Sequence, residues 1–176
     1  GTGRSYAAGL GLQNAALATG GRTSPSPFNG ETEQYNGSTW SEVADLITDA
    51  IGKAGGGTVN AGIAFGGQNS SPAIVTCTEL WDGSSWTATT GMITARLNHG
   101  GSGLQNSAVA FGGQITAGPF VGACTEEWNG TAWSTGGALS TGRYSTKNFT
   151  AHAHNAIVAG GRNPGPISCT EVYTGY

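Results

Sequence analysis

Charge is what this sequence has least of. Asp, Glu, Lys and Arg make up only 10% of its 176 residues, against roughly 25% in ordinary soluble domains. Seven basic residues face ten acidic ones, for a net charge of −3, so the basic stripe that a nucleic-acid partner requires is missing. No apolar run approaches the roughly 18 residues that cross a bilayer as a helix. No signal peptide is visible either, which does not by itself place the protein in the cytoplasm. Cysteine is sparse and odd in number, so Cys77, Cys124 and Cys169 cannot all pair within the chain. With 32 glycines and so little charge, a disordered linker is one reading. Against it stand five Trp, five Tyr and five Phe at regular places, since disordered chains are poor in aromatics. A turn-rich β protein is left.

The regularity is a repeat. The segments "NAALATGG", "NAGIAFGG", "NSAVAFGG" and "NAIVAGG" end in Gly20-Gly21, Gly66-Gly67, Gly112-Gly113 and Gly160-Gly161, spaced 46, 46 and 48 residues apart. Each doublet is followed by a Pro/Ser/Gly-rich stretch and then by Thr-Glu, with the glutamates at Glu33, Glu79, Glu126 and Glu171. Two residues on stands an aromatic: Tyr35, Trp81, Trp128 or Tyr173. In the first three copies Asn36-Gly37, Asp82-Gly83 or Asn129-Gly130 comes next, then Trp40, Trp86 or Trp133, and six residues later Leu46, Met92 or Leu139.

Each copy reads as one antiparallel sheet. The Asn-Gly and Asp-Gly pairs lie between two aromatic-bearing strands, and both residues of such a pair tolerate positive φ in a tight hairpin. A second hairpin joins the stretch before Asn14, Asn60, Asn106 or Asn155 to the apolar strand. Four strands per copy follow, in the first copy near 6–12, 15–19, 32–35 and around Trp40. A sheet this small cannot bury both faces, so copies must stack, and radial stacking of four-stranded sheets makes a propeller.

An apolar strand ending in Gly-Gly, an aromatic about a dozen residues on and a Trp shortly after resembles the kelch repeat, whose period is close to this one. The wording of "TCTELWDGSSWTATTGMITAR" and "GLQNSAVAFGGQ" also resembles repeats common in structural proteins of marine bacteriophages. Trp81-Asp82 is not a WD40 signature, because that repeat brings a Gly-His pair as well. The expected fold is all-β: a single propeller of four kelch-like blades, near 1–49, 50–95, 96–142 and 143–176, with the fourth lacking its outer strand. Half of an eight-bladed ring shared by two chains is the competing arrangement.

Recurrence assigns most columns to structure. The Gly-Gly doublets suit close approach of neighbouring backbone; no helix pattern follows them to make a phosphate site. The aromatics are expected between blades rather than as sugar-stacking pairs. Four of the ten acidic residues occupy the Thr-Glu column, and a carboxylate among apolar neighbours needs a partner. The basic residues opening each copy, Arg4, Lys53, Arg96 and Arg143, are the candidates, as pairs bridging adjacent blades. Cys77, Cys124 and Cys169 precede Thr-Glu, a blade apart, too far for disulfides, and read as free, small, buried side chains. His152 and His154 alternate in "AHAHN", which on a strand puts both on one side with a spacing suited to a metal, but they replace ordinary residues of the other copies. His99 reads as a surface loop. Asn36, Asn69, Asn129 and Asn148 fall in Asn-X-Ser/Thr sequons, which arise easily in this composition.

The copies diverge between Gly-Gly and Thr-Glu, in loops holding all six prolines. Phe28, Ile74, Phe120 and Ile167 there are apolar tips, either for recognition or for capping the channel mouth. The fourth copy stops soon after "TEVYTGY", so Thr170, Glu171, Val172 and Tyr173 form an uncovered strand and a candidate assembly edge. Together these features predict a non-enzymatic structural or adhesive module of a virion or other extracellular assembly, such as a tail fibre. It would use no cofactor or metal, and its partners would be copies of itself, other structural subunits, or a surface glycan or protein receptor. A subunit of an extracellular filament is the second reading. A kelch-bearing copper oxidase is the third, and it would need His and Tyr ligands.

Overall fold

The computed structural model describes residues 2–71, 73–115, 120–148 and 155–175, and over these the chain is all β, every strand pair antiparallel, with no helix. The first repeat forms β1 (Ala8–Leu12), β2 (Ala15–Thr19), β3 (Thr32–Tyr35) and β4 (Trp40–Val43), bonded in that order as one sheet. In the second, β5 (Ala50–Ile51) precedes β6 (Ala54–Thr58) and β7 (Ala61–Phe65), and β8 (Gln68–Asn69) precedes β9 (Thr78–Trp81) and β10 (Trp86–Thr89). Its sheet runs β6–β7–β9–β10, while β5 and β8 make a two-residue ribbon. The third repeats this with β11 (Arg96–Leu97), β12 (Gly100–Leu104), β13 (Ser107–Phe111), β14 (Gln114–Ile115), β15 (Thr125–Trp128) and β16 (Trp133–Thr135). The fourth holds β17 (Lys147–Asn148), β18 (Asn155–Ala159), the short pair β19 (Arg162–Asn163) and β20 (Gly165–Pro166), and β21 (Thr170–Thr174). Its sheet, β17–β18–β21, has three strands among the described residues.

Turn chemistry fixes the registers. Two-residue loops join Leu12 to Ala15, Thr58 to Ala61 and Leu104 to Ser107. The Asn-Gly and Asp-Gly loops are four residues long rather than two, and only their glycines take positive φ, at +95° to +98°. The Asn or Asp instead folds its side chain over the loop. Asp82 Oδ1 accepts the amides of Ser84 and Ser85, both at 2.8 Å. These bonds to Ser85 and Ser84 hold the Asp82 carboxyl down at about 2.

Aromatic burial joins one sheet to the one before it. Trp81 and Trp86 pack on Leu10, Leu17 and Leu46 of the first repeat. Trp128 and Trp133 pack on Ile63, Phe65 and Met92 of the second. Tyr173 and Val158 pack on Val109, Phe111 and Leu139 of the third. Each fully buried ring contributes roughly 1.5–3 kcal/mol. Two indoles add a bond across the boundary, Trp86 Nε1 to Thr32 Oγ1 (3.2 Å) and Trp133 Nε1 to Thr78 Oγ1 (2.9 Å). The first repeat departs from the expected inter-sheet burial: Trp40 is 42% exposed, and its ring contact is with Tyr35 of its own sheet, at 5.2 Å.

Strands β1, β6 and β12, each an edge of its sheet, lie side by side. Glycine permits the approach, since a Cβ on Gly56 would stand 2.6 Å from the carbonyl oxygen of Gly103. These strands, with His99 and Thr146, line a cavity of about 510 Å³. At one mouth, matched positions of all four repeats, Tyr6, Gly52, Asn98 and Ser145, take left-handed φ of 52° to 64°. A chain of amide bonds links them: Gly52 N to Tyr6 O, Asn98 N to Gly52 O, and Ser145 N to Asn98 O, at 2.7–3.2 Å. A second cavity of about 270 Å³ is lined by these four and the residue after each: Ala7, Lys53, His99 and Thr146.

Candidate functional site

The Thr-Glu column is the one constellation of ionisable groups repeated in every sheet. Arg4 meets Glu33 at 2.9 Å, Lys53 meets Glu79 at 3.0 Å, Arg96 meets Glu126 at 2.5 Å, and Arg143 pairs with Glu171. Every pair lies inside one repeat. The ion pair therefore does not bridge two sheets, contrary to the expectation from sequence; in the last three repeats the carboxylate bridges them through backbone amides. Glu79 accepts the amides of Ile47 and Thr48, and Glu126 those of Ile93 and Thr94, each time on the loop leaving the preceding sheet. Glu171 accepts Ser140 N at 2.6 Å, and Glu33 accepts Thr2 N at 3.0 Å. A short charged side chain is needed here because several donors converge on it from two directions.

The arginines are similarly occupied. Arg96 Nη1 donates to the carbonyls of Gly112 and Cys124, and Arg143 Nη1 to those of Gly160 and Cys169. Each guanidinium thus ties a Gly-Gly turn to the strand entering the Thr-Glu position. Lys53 substitutes from three residues further along, where Ala50 holds the place of an arginine. Partial burial draws the Glu171 carboxyl upward, but the bonds from Ser140 and the charge of Arg143 outweigh it and hold it below its ordinary value.

The thiols are free, but they are not buried as expected: Cys77 and Cys124 are half-buried and Cys169 is exposed. They stand beside the cations, Cys77 Sγ 3.1 Å from Lys53 Nζ, Cys124 Sγ 3.3 Å from Arg96 Nη2 and Cys169 Sγ 3.0 Å from Arg143 Nη2.

His99 is not on a surface loop. It is 6% exposed, beside Phe65 at 5.6 Å, and lines both cavities. Neither ring nitrogen has a hydrogen-bond partner, and neither has the buried Thr146 hydroxyl. Burial, reinforced by the charges of Arg96 and Lys53, pushes the imidazole down to about 3. It occupies the column Ala7, Lys53, His99, Thr146. Sequence reasoning missed it because four unlike residues show no pattern; counting three residues on from Arg96 would have found it.

Of the four loop tips only Phe120, 83% exposed, faces solvent. Phe28, Ile74 and Ile167 are half-buried; Ile74 is held by a bridge to Gln68 and Ile167 by a bond from its amide to Gly161 O. His152 and His154 lie outside the described residues. Among the described residues, no three His, Cys, Asp or Glu side chains gather as a metal site.

The edge strand β21 pairs with β18 from Thr170 opposite Ala159 to Thr174 opposite Asn155, and its other side has no strand among the described residues. Thr170 is exposed, Glu171 half-buried and Val172 71% exposed, whereas Tyr173 is 5% exposed. Tyr173 donates to Glu127 Oε1 at 2.5 Å and stands 3.5 Å from Thr125 Oγ1. Burial and the Glu127 carboxylate raise its phenol above the ordinary value.

These sheets, edges and internal ion pairs define an all-β protein of antiparallel repeats. No known protein-family pattern matches the chain, and no curated protein is similar to it at a significant level.

Proposed function

We propose that the four sheets form one closed, four-bladed, kelch-like propeller, and that the protein is a non-enzymatic structural or adhesive module of a virion or other extracellular assembly. Support for closure comes from Tyr6, Gly52, Asn98 and Ser145, matched residues of four repeats around one cavity. The observation that carries the functional reading is the fate of the charged column. Glu33, Glu79, Glu126 and Glu171 each hold a cation and the backbone of a neighbouring segment. Groups so occupied serve the scaffold and are not available to transfer protons to a substrate. Contact with other subunits falls to β21 and its exposed Val172, and receptor contact to the Phe120 loop.

Electron microscopy of the native particle, with antibody labelling of the chain, tests this. Regular copies on a virion or filament are expected; a dispersed monomer that turns over a small substrate would overturn it. The β21 edge, beside which no strand lies among the described residues, favours a second form of the same reading, a filament subunit, because head-to-tail contacts that do not close on themselves propagate.

A further inference from the structure

The chain holds three Asn-Gly pairs, Asn29-Gly30, Asn36-Gly37 and Asn129-Gly130. The last two form the hairpins between β3 and β4 and between β15 and β16, and in the second repeat Asp82-Gly83 takes the same place. All three hairpins seat the side-chain oxygen alike. Asn36 Oδ1 accepts the amides of Ser38 and Thr39, each at 3.0 Å, with the Thr39 hydroxyl at 3.5 Å. Asn129 Oδ1 accepts the amides of Thr131 (3.0 Å) and Ala132 (2.9 Å) and the hydroxyl of Thr131 (2.9 Å). Asp82 carries a carboxylate in that seat, where Ser84 and Ser85 add their hydroxyls to their amides. Asn36 and Asn129 are exposed. Among the described residues, nothing accepts a hydrogen bond from the amide nitrogen of Gly37 or Gly130. Asn29 is different. It is 8% exposed, its Nδ2 donates to Thr23 Oγ1 at 3.0 Å, and its Oδ1 accepts Glu31 N at 2.5 Å.

We propose that Asn36 and Asn129 are self-modification sites, at which the hairpin turns the carboxamide into a carboxylate and so reproduces the Asp82 loop in the first and third repeats. The Gly37 nitrogen gives its proton to hydroxide and attacks Asn36 Cγ, forming a C–N bond. Negative charge gathers on Oδ1, where the Ser38 and Thr39 amides already donate. The Cγ–Nδ2 bond then breaks, and the nitrogen takes a proton from water and leaves as ammonia, which closes a five-membered imide. Water adds to the Cγ carbonyl and reopens the ring as aspartate. No electrons change hands, hydroxide is regenerated and water is the only reactant consumed. Asn129 reacts likewise through the Gly130 nitrogen. The product suits the seat better than the amide did, since a charged acceptor binds these donors more strongly. Attack by water at the other imide carbonyl would instead put an extra methylene into the hairpin backbone, so aspartate is the expected product. Two negative charges join a net charge of −3. Asn29 is spared, because its buried carboxamide meets little water and Thr23 holds the nitrogen that must leave.

The test is to incubate the folded chain at mildly alkaline pH in heavy-oxygen water and follow it by peptide mapping, beside the same chain held unfolded in guanidinium chloride. Asn36 and Asn129 should gain labelled aspartate at least as fast folded as unfolded. Asn29 should lag on the order of tenfold in the folded chain, reacting only through local opening, and should keep pace with the other two once unfolded. Thr131→Val, which keeps the branched shape and removes a donor from Asn129 Oδ1, should slow Asn129 several-fold and leave Asn36 unchanged. Asn36 and Asn129 reacting more slowly folded than unfolded would overturn the proposal. So would a folded Asn29 that keeps pace with them, or a Thr131→Val chain that reacts like the wild type. Asn36→Asp and Asn129→Asp install the product directly and should melt no lower than the wild type; a clear drop would show that these hairpins reject the carboxylate and would overturn the proposal as well.

Discussion

Protonating His99 would add a buried positive charge beside Arg96 and Lys53, and only the Arg96 backbone favours that charge. Its folded value of about 3 lies below the ordinary 6.5, so the unfolded chain takes up the proton first. The stability this represents is complete above pH 6.5 and is lost as pH falls from 6.5 toward 3. Between pH 6.5 and 5, before most carboxylates titrate, the loss should run at roughly 1.4 kcal/mol per pH unit at most. Urea titrations of wild type and His99→Gln across that window check this: the wild-type slope should be the steeper, and parallel slopes would mean an accessible imidazole. The glutamate column makes a graded prediction. Glu79, whose side chain is 1% exposed, sits beside an equally buried Lys53, whereas Glu171 is 16% exposed. Glu79→Ala leaves an uncompensated buried charge, costing about 3–5 kcal/mol, a drop in melting temperature on the order of 10 °C. Glu171→Ala should cost clearly less. Equal drops would show that burial does not set the cost.

At the scale of elements, the strands of the first three sheets stand where the repeated columns and turn residues put them, because the 46-residue period makes each copy vouch for the others. What the sequence did not disclose depends on residues with no common type. The left-handed belt uses Tyr6, Gly52, Asn98 and Ser145, and nothing in Tyr or Ser announces positive φ; the amide chain through the belt holds them there. The ribbons β5–β8 and β11–β14 were equally hidden, being two-residue pairings made by loops that double back. The reach of Tyr173 into the third sheet was hidden too, since the column suggested a counterpart of Trp81. The exposure of Trp40 yields a further prediction. Of five tryptophans, the other four are 0–7% exposed, so acrylamide should quench one component strongly and Trp40→Phe should abolish it. A uniformly protected spectrum would mean that the Trp40 ring is covered in solution.

Across the whole molecule, the side-chain bridges between sheets share a direction. Trp86, Trp133 and Tyr173 all extend to the preceding sheet, and the carboxylates of Glu79, Glu126 and Glu171 grip the loop that leaves it, whereas backbone bonds run both ways, the amides of Gly52, Asn98 and Ser145 donating to the repeat before and those of Gly21, Gly67 and Gly113 to the repeat after. The repeat count was legible in the sequence, but this polarity was not, because it depends on which face each residue takes. During synthesis a repeat that looks backward finds its platform already made, while one that looked forward would wait with its aromatics bare. The chain is therefore expected to consolidate on the ribosome in the order of translation. Stalled nascent chains exposing residues 1–95 and 1–142 should show protease protection of the first repeat, then of the second, as each following repeat emerges. Protection that arrives only with the complete chain would mean that closure, and not succession, makes the fold.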